Sequence, residues 1–458
     1  MLPMSNIVAA FCFTLLGAAH PLRPYELGAH AEALMPNDDP FYTAPQNISD
    51  YTPGVIIRSR LPPGPLALFA GKINILDSRQ ILFRTNGATG EPLASVTTII
   101  IPHNADYKKL LSYQVEIDSP YSGCFPSITL QQRMANVTSI SSQYGMLWVM
   151  SVLEKGWVVS VPDHDGPNAA FGAGILAGQV TLDSLRAALQ SRPITGLLPD
   201  AKVALWGYSG GALATEWALE TQEQYAPQLR ITAAAIGGVP ANASSAIFET
   251  INKNIGAGLA FGAAMGLANA YPEFDAFLKK HLLANATAIY DVTGQCTIPT
   301  VVEFAYKNFW DYIDIGDSLL NDPYLQKIFA LNKMGNLGVV PKVPTYMYHA
   351  INDELLPFQD TLDLYDKYCA AGANIEFVRE GFGEHIVVAL TGAAGALRYL
   401  MARMDGSAAT KGCRSQTVVT SALDPTNISV LGDAVFSIVA ALLGTPLGPT
   451  AWLAAAGK

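Results

Sequence analysis

Charge is scarce in this sequence: 14% of its 458 residues are Asp, Glu, Lys or Arg, and 38 acidic side chains outnumber 28 basic ones. The net charge of −10 and the want of any basic stretch argue against a nucleic-acid partner, because nothing is there to neutralise phosphates. The same balance offers no electrostatic attraction to an anionic membrane. Cysteine is sparse as well, with five residues and no Cys-x-x-Cys, and no His-x-x-x-His accompanies them, so the spacing specifies no metal site. Neither a Gly-x-Gly-x-x-Gly nor a Walker pattern occurs, and no cofactor is expected. The apolar stretches are too short or too rich in glycine to span a bilayer, so no transmembrane segment is expected.

Half of the chain is apolar, enough to bury a large core, and its length suits an α/β enzyme carrying an insertion. The opening "MLPMSNIVAAFCFTLLGAAHPLRP" reads as a secretory signal over residues 1–19, with a short apolar stretch and small residues before His20. Removing Cys12 with that signal leaves Cys124, Cys296, Cys369 and Cys413, an even set that in an oxidising compartment implies two disulfides with three possible connectivities. Sequons at Asn47, Asn136, Asn242, Asn285 and Asn427 are glycosylation candidates that suit the same route. Together these features predict a secreted, extracellular protein. They fix no oligomeric state.

Apolar runs at "QILFRTN", "SVTTIIIP", "LLSYQVEI", "GWVVSVPD", "ITAAAIGGVP", "VPTYMYHA" and "NIEFVREG" predict strands. Helical patterns alternate with the later ones: "TLDSLRAALQ", "ATEWALETQEQYA" and "QDTLDLYDKYCAAG". This alternation predicts an α/β fold with a mostly parallel sheet and helices on both faces. The segment "DPFYTAPQNISDYTPGVIIRSR" reads as an irregular arm. Between residues 240 and 341 the alternation gives way to helices, an inserted cap that divides the core into parts 20–239 and 342–458. The stretch from Ile255 to Ala270 is uncharged and rich in small residues. Its Gly256, Gly258, Gly262 and Gly266 are read as leaving room for an acyl chain.

Within "VALWGYSGGALATEWA", Ser209 sits among glycines where a strand pattern turns abruptly into a helix pattern. That is the context of a nucleophile elbow, which exposes the serine hydroxyl at the end of a sheet. Serine needs an imidazole to take its proton and a carboxylate to orient that imidazole, in the chain order Ser, acid, His for such folds. Three histidines follow Ser209. His281 stands beside lysines in the cap and reads as a solvated surface group, and His349 ends a strand and reads as a structural hydrogen-bonding group. His385 occupies a glycine-bounded loop after the last strand, where a general base belongs. Asp353 in "HAINDELLPF" follows the preceding strand and is the predicted acid, with Glu354 its immediate rival.

The runs "PFYTAP", "PGVIIRSR", "VTTIIIP", "SYQVEIDSPYSGCFPS", "VVSVPDHDGPNAAF", "GYSGGALATEWA", "YHAINDELLPF" and "GEHIV", in order over most of the chain, resemble the fungal secretory lipase family typified by lipase A of Candida antarctica. The resemblance implies an α/β-hydrolase fold with an inserted helical cap and a C-terminal flap, and a triad of Ser209, Asp353 and His385. It further implies an oxyanion hole from Asp118 and Gly210, and disulfides Cys124–Cys296 and Cys369–Cys413. An ionised Asp118 cannot donate through its side chain, so its backbone N–H or a protonated carboxyl would have to serve. The expected activity is serine-dependent hydrolysis of carboxylic esters, triacylglycerols foremost, at a lipid–water interface. Esterases of the same family that deacetylate fungal metabolites such as trichothecenes are the alternative substrate class, and a non-catalytic binding module on the same fold is a second alternative.

Overall fold

The computed structural model describes residues 34–449 apart from 70, 133, 135–139 and 285. The signal segment and the sequons at Asn136 and Asn285 lie outside the described residues.

A ten-stranded sheet organises the chain. Its strands are β1 (Ile56–Arg60), β2 (Asp77–Asn86), β3 (Pro92–Ile101), β4 (Asp106–Gln114), β5 (Trp157–Pro162), β6 (Lys202–Tyr208), β7 (Ile231–Gly237), β8 (Thr345–Ala350), β9 (Ile375–Glu380) and β10 (Arg414–Val418). They lie side by side in the order β1-β2-β3-β5-β4-β6-β7-β8-β9-β10. The first three pairings, β1 with β2, β2 with β3 and β3 with β5, run antiparallel, and from β5 onward every neighbour is parallel. The central strands β5 and β8 are buried along their whole length, which is why they read as unbroken apolar runs rather than alternating ones.

Helices α1 (Ile140–Leu153), α2 (Gly174–Gln190) and α3 (Gly210–Tyr225) connect the central strands, while α8 (Phe358–Ala370), α9 (His385–Thr391), α10 (Ala393–Met404) and α11 (Pro425–Leu442) follow later. One buried cluster joins α2 to the sheet through Leu182, Leu185, Val203 and Leu205. A second joins α1 and α10 to the other face through Val149, Val159, Trp206 and Leu397. Between β7 and β8 lie the longer helices α4 (Gly258–Ala270), α5 (Pro272–His281), α6 (Thr297–Phe304) and α7 (Pro323–Leu331). Phe261, Ala264 and Leu267 of α4 belong to the same cluster as the α2 side of the sheet, so this inserted region shares the main core.

Three readings change. The arm is not wholly irregular: its "IIRSR" end forms β1, antiparallel to β2, and Arg60 inside it pairs with Asp39 at 2.6 Å. Gly258 and Gly266 of α4 do not open a channel. A Cβ at Gly266 would overlap the backbone of Phe171 and one at Gly258 the backbone of Thr300, so these two allow close packing. A Cβ at Gly262 would stand 3.6 Å from Pro120, in ordinary contact. Against the expectation of no spanning segment, α11 is long and apolar enough to cross a membrane by length and composition, among the described residues. It packs one stripe, Asn427, Ala434 and Ala441, inward and leaves Val435, Phe436, Val439 and Leu442 to solvent.

Candidate active site

The elbow takes its shape from sterics. Ser209 sits between β6 and α3 at φ 52°, ψ −122°, outside the regions an L-residue prefers. The flanking glycines make this possible. A Cβ at Gly207 would overlap the Gly211 carbonyl, one at Gly211 would overlap the Gln114 carbonyl, and one at Gly210 would overlap the Asp118 carboxyl. The first turn of α3 thus lies against the end of β4, and the serine points out of the sheet's carboxyl edge.

His385, the first residue of α9, brings Nε2 to 2.9 Å from Ser209 Oγ and Nδ1 to 2.7 Å from Asp353 Oδ2. Asp353 lies in the loop after β8, where its Oδ1 accepts from the backbone N–H groups of Leu355 (3.0 Å) and Leu356 (2.7 Å). These bonds turn Oδ2 towards the imidazole. Glu354, its rival in sequence, instead accepts from the backbone N–H of His385 at 2.6 Å, and Tyr208 donates to the His385 carbonyl at 2.6 Å. Both hold the start of α9 in place.

The electrostatics follow the contacts. Burial favours the neutral His385 ring, but the Asp353 carboxylate outweighs it, aided by Glu354 and Asp118, and the imidazole's pKa rises above its ordinary value. Burial acts to raise Asp353, yet the imidazole's charge and hydrogen bond hold its carboxyl below the usual range. His349, expected to be structural, stands beside the same acid: its Nε2 lies 3.3 Å from Asp353 Oδ2. His281 pairs with Asp314 at 3.0 Å and lies tilted against the Phe277 ring, 4.9 Å between centroids, rather than standing free in solvent.

Asp118 follows β4 at φ 47°, its carboxyl over Gly210. Burial and the nearby Asp165 push its pKa up to about 6, against the pull of His164 and His385. His164 and Asp165 were not singled out in the sequence. His164 Nε2 donates to the Val115 carbonyl at 2.8 Å, and Nδ1 lies 3.1 Å from Asp165 Oδ1. The pKa of His164 is raised: burial opposes the charge, and Asp165 outweighs burial. The loop after Asp118 is tied to the insertion at three points. Thr297 Oγ1 donates to the Asp118 carbonyl (3.1 Å), Ser119 Oγ donates to the Gln295 carbonyl (2.7 Å), and Cys124 is bonded to Cys296. Cys369 is bonded to Cys413 at the far edge of the sheet.

A cavity opens on Ser209. Asp118, Ser209 and Gly210 form its polar end, and Phe171, Leu213, Ala246, Ile247, Leu259 and Leu356 are among the residues that wall the rest. Among the described residues no cluster of three or more His, Cys, Asp or Glu could hold a metal ion. Of the remaining sequons, Asn47 is exposed and Asn242 half-buried. Asn427 is 2% exposed, and its Nδ2 donates to the Ser421 carbonyl at 3.0 Å. That buried amide does not offer the surface acceptor its sequon implied.

A largely parallel sheet with helices on both faces, and a serine elbow at its carboxyl edge, define an α/β-hydrolase fold. A family model described as "Secretory lipase" matches residues 131–412. Lipase A of Arthroderma benhamiae is 35% identical over 98% of this chain and 97% of its own length. Lipase 1 of Candida albicans is 35% identical over 90% of each. The X-ray structure of Candida antarctica lipase A superposes with a TM-score of 0.79 at 30% identity, covering 92% of this chain and 99% of that one. The chain belongs to the secretory lipase family, and it is an ester hydrolase of the lipase type. Its family and its two disulfides are consistent with secretion.

Proposed function

We propose that this protein is a secreted serine esterase that cleaves long-chain carboxylic esters, triacylglycerols foremost, at a lipid–water interface. The observation that carries this reading is the unbroken run of contacts from Ser209 Oγ through His385 to Asp353, at 2.9 and 2.7 Å, at the polar end of an apolar cavity. Ser209 attacks the ester carbonyl, and His385 takes its proton and delivers it to the leaving alcohol. Asp353 fixes the Nε2-accepting tautomer. The Gly210 N–H and Asp118 stabilise the oxyanion, the latter through its N–H or through a carboxyl that burial keeps protonated into the weakly acidic range. Water then releases the acid.

Cavity walls built from Ala246, Leu259 and Leu356 favour a long acyl chain over acetyl, and so favour the lipase reading over a metabolite deacetylase. Ile386 and Phe382, exposed beside His385, suit a water–lipid boundary. Hydrolysis of p-nitrophenyl esters by wild type and by Ser209→Ala tests the proposal. We expect kcat/KM to rise from acetyl to long acyl chains, and Ser209→Ala to lose several orders of magnitude with its fold intact. An optimum at acetyl would replace the lipase by the deacetylase. Failure of wild type to react with a fluorophosphonate would refute serine catalysis.

A further inference from the structure

His349, the last residue but one of β8, stands four residues before Asp353 and is fully buried. Its Nδ1 receives the backbone N–H of Val239 at 3.1 Å. A backbone amide can only donate, so Nδ1 carries no proton and the ring must hold its single hydrogen on Nε2. Thr361 Oγ1, 3.3 Å from Nδ1, spends its own hydrogen on the Val239 carbonyl at 3.0 Å, which leaves that assignment intact. The Nε2–H then makes its hydrogen bond to the Leu356 carbonyl at 3.4 Å, with Asp353 Oδ2 standing 3.3 Å from the same nitrogen. Oδ2 is the oxygen that also meets His385 Nδ1, at 2.7 Å. The other carboxylate oxygen is already held by two backbone N–H groups. Two imidazoles therefore converge on one carboxylate oxygen.

We propose that His349 is a positioning residue for the acid of the triad: as a neutral Nε2–H imidazole beside the Asp353 oxygen that faces His385, it limits how tightly that oxygen holds the His385 proton. This rests on the triad reading above. The positive end of the Nε2–H dipole, 3.3 Å from Oδ2, offsets part of the carboxylate's negative charge, and a carboxylate so offset stabilises the neighbouring imidazolium less. The charged or titratable groups facing His385 are Asp353, Glu354 and Asp118, and those facing His349 are Asp353 and His385. Burial lowers the pKa of His349, in keeping with a ring that stays neutral while His385 titrates.

The test is the acid limb of kcat/KM, which reports His385 in the free enzyme. His349→Phe removes that N–H dipole and should move that limb to higher pH by about half a unit to one unit. His349→Gln, whose amide can accept from Val239 and donate to Asp353, should return it close to wild type. A role confined to packing would change yield or melting temperature and leave the limb in place. An unmoved or lowered limb in His349→Phe overturns the proposal. Should that variant not fold, ¹⁵N spectra of histidine-labelled wild type still decide, since the chain has seven histidines and the His349→Gln spectrum assigns the signal. His349 should remain the Nε2-protonated tautomer across the range in which His385 titrates, and a signal that titrates with it or carries its proton on Nδ1 overturns the proposal. An active His385→Ala would instead overturn the triad itself.

Discussion

Asp353→Asn changes one atom and should nearly silence the enzyme. Its Oδ1 accepts two backbone hydrogens, from Leu355 and Leu356, at 3.0 and 2.7 Å. In the variant only the amide oxygen can serve there, so the amide nitrogen must take the place of Oδ2. It would then donate towards His385, which forces Nδ1 to be the acceptor and moves the ring's hydrogen to Nε2. Nε2 would meet Ser209 Oγ as a donor and could no longer take its proton. The same nitrogen would also confront the Nε2–H of His349 across a distance now 3.3 Å. A wrong tautomer in such a triad costs about 10⁴ in kcat, or about 5 kcal/mol of transition-state stabilisation. Steady-state kinetics on a soluble p-nitrophenyl ester, with thermal melts to check the fold, measure the effect, and fluorophosphonate labelling should slow in parallel. A folded Asp353→Asn enzyme retaining a tenth of wild-type kcat would refute the tautomer argument.

Glu216, buried on α3 beside Glu220, has its pKa pushed up to about 8, chiefly by burial and then by the Glu220 charge. The native state therefore holds a proton that the unfolded chain gives up near pH 4.5, and stability present below that value is lost as pH rises towards 8. Glu216→Gln escapes this loss, so its stability relative to wild type should grow by about 3 kcal/mol between pH 5 and 8 in denaturant titrations; a constant difference would show that Glu216 is ionised in the fold. Ala246→Phe should fill the cavity and lower the ratio of kcat/KM for twelve-carbon over four-carbon esters about tenfold or more, since each buried methylene contributes about 0.8 kcal/mol. An unchanged ratio would place the acyl chain elsewhere. Gly266→Ala should destabilise by about 1–3 kcal/mol through its overlap with the Phe171 backbone, whereas Gly262→Ala, in open contact with Pro120, should melt near wild type; equal melting temperatures would remove the distinction drawn between them.

What could be read in the sequence was what local sterics decide. Gly207, Gly210 and Gly211 mark an elbow because each faces a close neighbour, and that need shows as letters beside Ser209. The strand–helix alternation was legible for the same reason: β5 and β8 are buried throughout and announce themselves as apolar runs. β1 escaped notice because an edge strand carrying Arg58 and Arg60 reads as polar loop after its Pro and Asp neighbours, and only pairing with β2 makes it a strand. The glycines of α4 show the limit from the other side. Gly258 and Gly266 are spelled like residues that leave space, but whether a missing side chain leaves room or admits another backbone depends on Thr300 and Phe171, distant in sequence.

The same limit governs the acid of the site. Asp353 and Glu354 are neighbours of like chemistry, and their separation into one carboxylate on Nδ1 and another on the backbone N–H of His385 is made by a loop geometry that no spacing rule contains. His349 could be read as a hydrogen-bonding group, since a buried imidazole at a strand end must find partners. Which partner it found was decided by Val239, whose N–H occupies one nitrogen and turns the other towards the carboxylate. The chemistry-bearing letters were thus visible one at a time, while their tautomers and charges arise only where β7, β8 and α9 meet. Perturbing that junction through His349 or Asp353 should move pH profiles and rates, whereas substitutions on the packing face of α4 should move melting temperatures alone.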